Sequence, residues 1–261
     1  MGVWIGAYLT WLTPTYYGPV VTALAAFLVC AAGNVFNDLV DIETDRVNRP
    51  NRVLVRGGLT RKYARNLAIA LNVAAFIMSL AVSFWVSVFA LVTIGLLFAY
   101  NLYLKRIPLV GNLVVALLAG MTFLTGGLAV DPVLVFRLPG PLIAAVFAFL
   151  FHLTREIVKD VQDMEGDRQA GLNTLPLVWG VSKSLQLALG LFAVLVIFTY
   201  LPIFKGWFGR TYEVITVYVV DLPLLALMIF VLTNPSPRML TIGSLALKIG
   251  MILGLIALVL A

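Results

Sequence analysis

A chain of 261 residues that is 62% hydrophobic and only 11% charged, with a mean hydropathy of +1.03, lies far outside soluble composition and reads as a multi-pass membrane protein. Its net charge of +6 is no nucleic-acid footprint, because the basic residues cluster in short gaps between apolar runs and not over a polar surface. No polar block is long enough for a soluble domain and no basic region precedes the first apolar run as in a cleaved signal peptide, so residues 1–261 are expected to form a single transmembrane domain.

A spanning helix needs about 20 apolar residues. Nine stretches qualify: 2–15, 18–38, 64–83, 85–104, 109–130, 140–160, 183–203, 212–233 and 239–260. The first is short and interrupted by Pro14, and the run from 64 to 104 is divided near Phe84 because its length suits two crossings. The expected fold class is all-α, a bundle of nine transmembrane helices. Arg46, Arg49, Arg52, Arg56, Arg61, Lys62, Arg65, Lys105, Arg106, Arg155, Lys159, Arg168, Lys183 and Arg238 fall in gaps on one face of this trace, whereas the other holds only Arg137, Lys205 and Arg210. The richer face is cytoplasmic by the positive-inside rule, which predicts a cell-membrane protein with its active site on that side. The lone Cys30 cannot form an intrachain disulfide, and its expected role is packing.

At the end of the second stretch an apolar helix fills with carboxylates. Over Asn34–Arg46 the residues Asn34, Asp38, Asp41 and Asp45 share one helical stripe roughly 60° wide. Stacked carboxylates repel one another and call for a cation. The pattern recurs 122 residues later, where Glu156, Asp160, Asp163, Asp167 and Arg168 stand in the same register. A repeat of charges in so apolar a chain reads as two halves of one site. The stretches that follow, 46–63 and 167–182, are expected to cover it as lids.

Two facing carboxylate stripes suit Mg²⁺, which takes oxygen ligands and is usually held by one or two carboxylates plus substrate phosphates. The ions would grip a diphosphate, and Arg46, Arg49, Arg52, Arg56, Lys105, Lys159 and Arg168 could take the remaining phosphate oxygens. A lipophilic group would then stay in the bilayer as an allylic cation, which aromatic faces stabilise; Phe36, Phe98, Tyr100, Tyr103, Phe151 and Phe123 are the candidates.

These residues resemble the UbiA-type intramembrane prenyltransferase superfamily. The likeness rests on Asn37-Asp38-x-x-Asp41-x-x-x-Asp45, the Arg-Pro pair at 49–50, Lys105-Arg106-x-Pro108-x-x-Gly111-Asn112, and Asp160-x-x-Asp163-x-x-x-Asp167. It implies nine spans, a cytoplasmic cap, a cavity opening sideways to lipid, and Mg²⁺-dependent transfer from a prenyl diphosphate donor to a lipophilic acceptor. It further implies that Asn37, Asp41, Asp45, Asp163 and Asp167 are the metal–diphosphate positions, supported by Asp38 and Asp160; the residues' own chemistry adds Lys105 to the catalytic set and Asn34 and Tyr100 to the substrate contacts. Within the superfamily, Thr154–Asp160, Glu165–Arg168 and Thr174-Leu175-Pro176 look most like the geranylgeranylglyceryl-phosphate geranylgeranyltransferases of ether-lipid synthesis, whose acceptor carries a phosphate.

Many members have Arg-Pro-x-Pro-Ser-Gly after the first motif, whereas this chain has Arg52-Val53-Leu54-Val55-Arg56-Gly57. The alternatives are prenyl transfer to an aromatic acceptor and, from another class, a divalent-cation transporter, disfavoured because the acids gather at one surface. His152, the sole histidine, reads as hydrogen-bonded more readily than as a base, and Asp221 before Leu-Pro223 reads as a helix cap.

Overall fold

The structure, a computed structural model, describes residues 1–12, 16–48, 50–169 and 171–261. Arg49, expected to contact phosphate, and Pro14 lie outside the described residues. The helices are α1 (Gly2–Tyr8), α2 (Tyr17–Val40), α3 (Ile42–Asn48), α4 (Arg61–Leu80), α5 (Phe84–Leu102), α6 (Val110–Leu128), α7 (Pro141–Gln169), α8 (Leu175–Trp179), α9 (Val181–Phe204), α10 (Arg210–Glu213), α11 (Leu222–Thr233) and α12 (Pro237–Val259). Among the described residues eight helices are long and apolar enough to cross a bilayer, the seventh running from Arg210 to Thr233 through a π-helical stretch at Val214–Asp221.

The expected first span, 2–15, is not confirmed as a crossing among the described residues. Its described part is a helix of 7 residues, stopped where the Thr10 hydroxyl donates to the Ala7 carbonyl at 2.7 Å and Trp11 takes a φ of 58°. The division expected near Phe84 is found there, and one further reading differs for a local reason. The break between α4 and α5 is made by Ser83, whose hydroxyl accepts the Val86 N–H at 3.2 Å as an N-cap. Asp221 caps nothing: its backbone is helical and its carboxylate accepts a 2.7 Å hydrogen bond from Thr199.

Helices in lipid gain little from burying apolar surface against each other, so close packing of small residues holds them together. α6 supplies that surface with Gly111, Ala116, Gly120, Gly126 and Gly127, all buried. A Cβ on Gly126 would overlap the Val3 carbonyl, and one on Gly6 would overlap that of Phe123, so α1 and α6 touch backbone to backbone. α7 is the central post, packed against α6, α9 and α12. Its Leu150, Leu153, Ile157, Val158 and Val161 build the largest core with residues of α9, α11 and α12. α2, α4 and α5 form a second group around Ala25, Val29 and Ala75.

Candidate active site

The first acidic motif straddles a bend. α2 ends at Val40, Asp41 adopts φ −93° and ψ 8°, and α3 begins at Ile42, yet the hydrogen-bond ladder continues through Asp41 N–H to Asn37 O (2.9 Å) and Asp45 N–H to Asp41 O (2.7 Å). The predicted stripe therefore survives. Arg52 donates to both Asp38 and Asp45, the latter at 2.9 Å and only 10% exposed. Lys105 donates to Asp41 at 2.5 Å. Two side-chain cations thus sit among three carboxylates, in the place the sequence reserves for metal.

Local structure explains how both cations arrive there. Residues 52–58 form one helical turn closed in a Schellman pattern, Gly58 N–H to Val53 O (2.9 Å) and Gly57 N–H to Leu54 O (3.3 Å), with Gly57 at φ +74°. That closure brings Arg52 back over α2. Lys105 lies on a 3₁₀ turn, Leu104–Arg106, whose backbone comes within 3.2 Å of where a Cβ on Gly111 would stand. A side chain there would push on that turn.

The second motif lies on the unbroken last turns of α7, which runs well past the expected end at 160. Asp160 accepts from Asn112 at 2.8 Å, Glu156 pairs with Arg155 at 2.6 Å, and Asp167 is half-buried while Asp163 is exposed. Among the described residues Asp163 and Asp167 make no ion pair. α7 ends as the loop after α2 does, with Leu172 N–H to Asp167 O (2.9 Å), Gly171 N–H to Arg168 O (3.2 Å) and Gly171 at φ +66°.

A small polar cavity of about 50 Å³ lies beside the second motif, lined by Tyr100, Lys105, Asn112, Glu156, Asp160 and Thr174 among others, and Lys105 links it to Asp41 of the first. The buried Thr174 hydroxyl makes no hydrogen bond among the described residues. From the same mouth an apolar chamber of about 470 Å³ runs into the membrane between α2, α5 and α6, with Asn34, Asn37 and Tyr100 at its upper end and Val3, Thr22 and Val86 on its walls. Tyr100 lines both spaces. Asn37 donates to Asn101 at 2.8 Å, and Asn101, 2% exposed, donates to the Leu97 carbonyl at 2.8 Å.

Other expected site residues stand apart. Arg46 pairs with Glu43 at 2.8 Å and Arg168 with Glu165 at 3.5 Å, both exposed, and Arg56 and Lys159 are exposed as well. Of the six candidate aromatics only Tyr100 lines the chamber. Phe36 and Phe98 stack on each other in a lipid-facing groove, and Tyr103 is 68% exposed. Phe123, Phe151 and His152 line a second cavity of about 300 Å³, shared with Asp221, Thr199 and Tyr212, that no motif carboxylate reaches. Among the described residues no three acidic, histidine or cysteine side chains converge as a ready metal cage. Asn101 was not singled out from the sequence, although a buried amide near the end of an apolar helix is costly enough to be a signal.

The model of the UbiA prenyltransferase family matches residues 1–243. A digeranylgeranylglyceryl phosphate synthase of Thermococcus sibiricus is 39% identical over 224 residues, covering 84% of this chain and 77% of that protein. A solved structure of a digeranylgeranylglyceryl phosphate synthase superposes with a TM-score of 0.84 at 31% identity, over 99% of this chain and 90% of that one. A UbiA homolog from Archaeoglobus fulgidus, solved with GPP and Mg²⁺, shares the fold at a TM-score of 0.65 and 18% identity, over 99% and 95% of the two chains.

Proposed function

The chain belongs to the UbiA prenyltransferase family, and from that premise we propose that it transfers a geranylgeranyl group from its diphosphate to the free hydroxyl of geranylgeranylglyceryl phosphate, with the active site on the cytoplasmic side. The carrying observation is Tyr100, which lines both a polar cavity beside the second acidic motif and an apolar chamber that carries Asn34 and Asn37 of the first. A molecule with a diphosphate head and an isoprenoid tail has that shape. The relatives named as digeranylgeranylglyceryl phosphate synthases support the acceptor.

The donor set fits Mg²⁺: every motif group is an oxygen ligand, Arg52 and Lys105 already stand as cations among the first three carboxylates, and the Thr174 hydroxyl is an unsatisfied buried oxygen nearby. Asn37, Asp41, Asp45, Asp163 and Asp167 would hold the ions, with Asp38 and Asp160 behind them. Bound there, Mg²⁺ would supply Lewis-acid neutralisation of the diphosphate as it leaves. The protein's own groups do the rest. Lys105 turns from Asp41 toward a phosphate oxygen, and Asn101 fixes the Asn37 amide through their hydrogen bond. Asn112 orients Asp160 in the same way. Tyr100 presents its ring where the C1–O bond breaks with its electrons going to the diphosphate. The chamber keeps water from the allylic centre until the acceptor oxygen bonds to C1 and its proton passes to the departing diphosphate.

Purified protein with Mg²⁺ and labelled geranylgeranyl diphosphate should form a chloroform-soluble lipid phosphate when given geranylgeranylglyceryl phosphate. With 4-hydroxybenzoate in its place it should form none. Prenylated 4-hydroxybenzoate with no lipid-phosphate product refutes the acceptor assignment and leaves an aromatic-acceptor enzyme of the same family.

A further inference from the structure

On the side of α2 away from the chamber, a groove opens to lipid between α2, α4 and α5. Its head is a hollow of about 420 Å³ with Phe36, Leu39, Val40 and Leu102 on its walls and the cations Arg61, Lys62 and Arg65 at its rim. Phe36 and Arg65 also belong to a deeper hollow of about 250 Å³, lined by Val29, Ala32, Ala68, Ile69 and Ile94. The Phe36 and Phe98 rings stack there at 4.8 Å and 22°. The whole is an amphiphile's outline: a basic mouth at the membrane surface above an apolar trough.

The charge of the mouth says more. Arg61 is engaged by Glu43 at 2.9 Å, whereas among the described residues Lys62 and Arg65 pair with no carboxylate. A phosphomonoester carries close to two negative charges near neutral pH, twice that of the phosphodiester of an ordinary membrane lipid. Two unengaged cations match the monoester. The trough also adjoins the reaction space, since Val29, Gly33, Leu97 and Asn101 line both it and the chamber. At Gly33 the partition is thin, with Leu97 Cδ1 only 3.2 Å from where a Cβ would be. Asn101, in the same wall, is the partner of Asn37 in the first motif.

We propose that this groove is the docking site from which the phosphate-bearing lipid acceptor is loaded, its phosphate held by Lys62, Arg65 and Arg61 and its chain along the Phe36–Phe98 trough. The proposal rests on the acceptor assigned above and places that acceptor, before reaction, outside the chamber.

The test is a titration of the full-length protein in detergent with geranylgeranylglyceryl phosphate, without donor or Mg²⁺, read by native mass spectrometry and followed by steady-state kinetics. The double variant Lys62→Gln/Arg65→Gln should bind about 30-fold more weakly, as expected for two surface cations acting on a lipid phosphate. Its acceptor KM should rise likewise while kcat and the donor KM hold. Lys62→Arg/Arg65→Lys should restore binding. Ile69→Trp, which fills the trough without touching charge or chamber, should raise the acceptor KM alone. Wild-type turnover of the lipid phosphate with unchanged acceptor binding in both variants overturns the docking site and leaves the function standing. So does a loss confined to stimulation by phosphatidylglycerol vesicles, which would make the groove a bulk-lipid site. A wild type that prenylates only 4-hydroxybenzoate overturns the function, and this site with it.

Discussion

Arg52 holds two carboxylates seven positions apart on the chain, and together with Lys105 it leaves the first motif nearly neutral while Asp163 and Asp167 of the second stay uncompensated. Removing Arg52 frees a site for metal and unpins its loop. Arg52→Gln should therefore bind Mn²⁺ several-fold more tightly without donor, by electron paramagnetic resonance, and yet turn over more slowly. Asp163→Asn should lower kcat by roughly 10²-fold or more, as removing a group that stabilises developing charge does, with no loss of melting temperature because the side chain is exposed. Asn101→Leu should cost about 10- to 100-fold in activity through loss of Asn37 orientation, the usual scale for a supporting hydrogen bond at a metal site. The motif carboxylates were legible in the sequence because repeated charge in apolar surroundings has few explanations. Arg52 was legible only as one of seven cations, because its selection depends on a glycine-closed turn and not on spacing.

At the scale of elements, the crossing of α1 over α6 depends on reciprocal glycines. Gly6→Ala and Gly126→Ala each put a methyl into a backbone carbonyl and should destabilise by about 1–3 kcal/mol, the range for overpacking, seen as a lower midpoint in a detergent-based thermal unfolding assay. Gly57→Ala, at φ +74° where an L side chain is strained despite the open space around it, should cost about 1 kcal/mol and loosen the placement of Arg52, lowering activity as well. Long apolar runs were read correctly because about 20 residues is a strict requirement in a bilayer. The errors fall where a local hydrogen bond outweighs the run: the Thr10 turn that ends α1, and the Asp221–Thr199 bond that lets one helix continue through a supposed start. Five of the six aromatic candidates stand away from the chamber for another reason. A ring's position along a helix does not say which face it occupies, and Phe36 and Phe98 face lipid while Tyr100 faces the chamber.

For the molecule as a whole, the basic asymmetry of the loops predicts sidedness. In a Cys30→Ser background, Val53→Cys should react with a membrane-impermeant maleimide only from the cytoplasmic side, and Lys205→Cys only from the other. Labelling of both from one side would refute the topology. The direction of the two motif helices carries a separate consequence. α2 brings Asp38 and Asp41, and α7 brings Asp167, to a C-terminal end, where aligned peptide dipoles place about half a negative charge each. Phosphate sites are commonly built on the opposite pole of a helix. This mouth therefore offers a bare diphosphate no favourable backbone pole, and the uncompensated carboxylates of the second motif repel it, so the donor would bind only with divalent ions to neutralise it. Chelation by EDTA should abolish donor binding itself, measured with labelled geranylgeranyl diphosphate, and not merely its turnover. The same field would disfavour free diphosphate at this mouth once no divalent ion neutralises it.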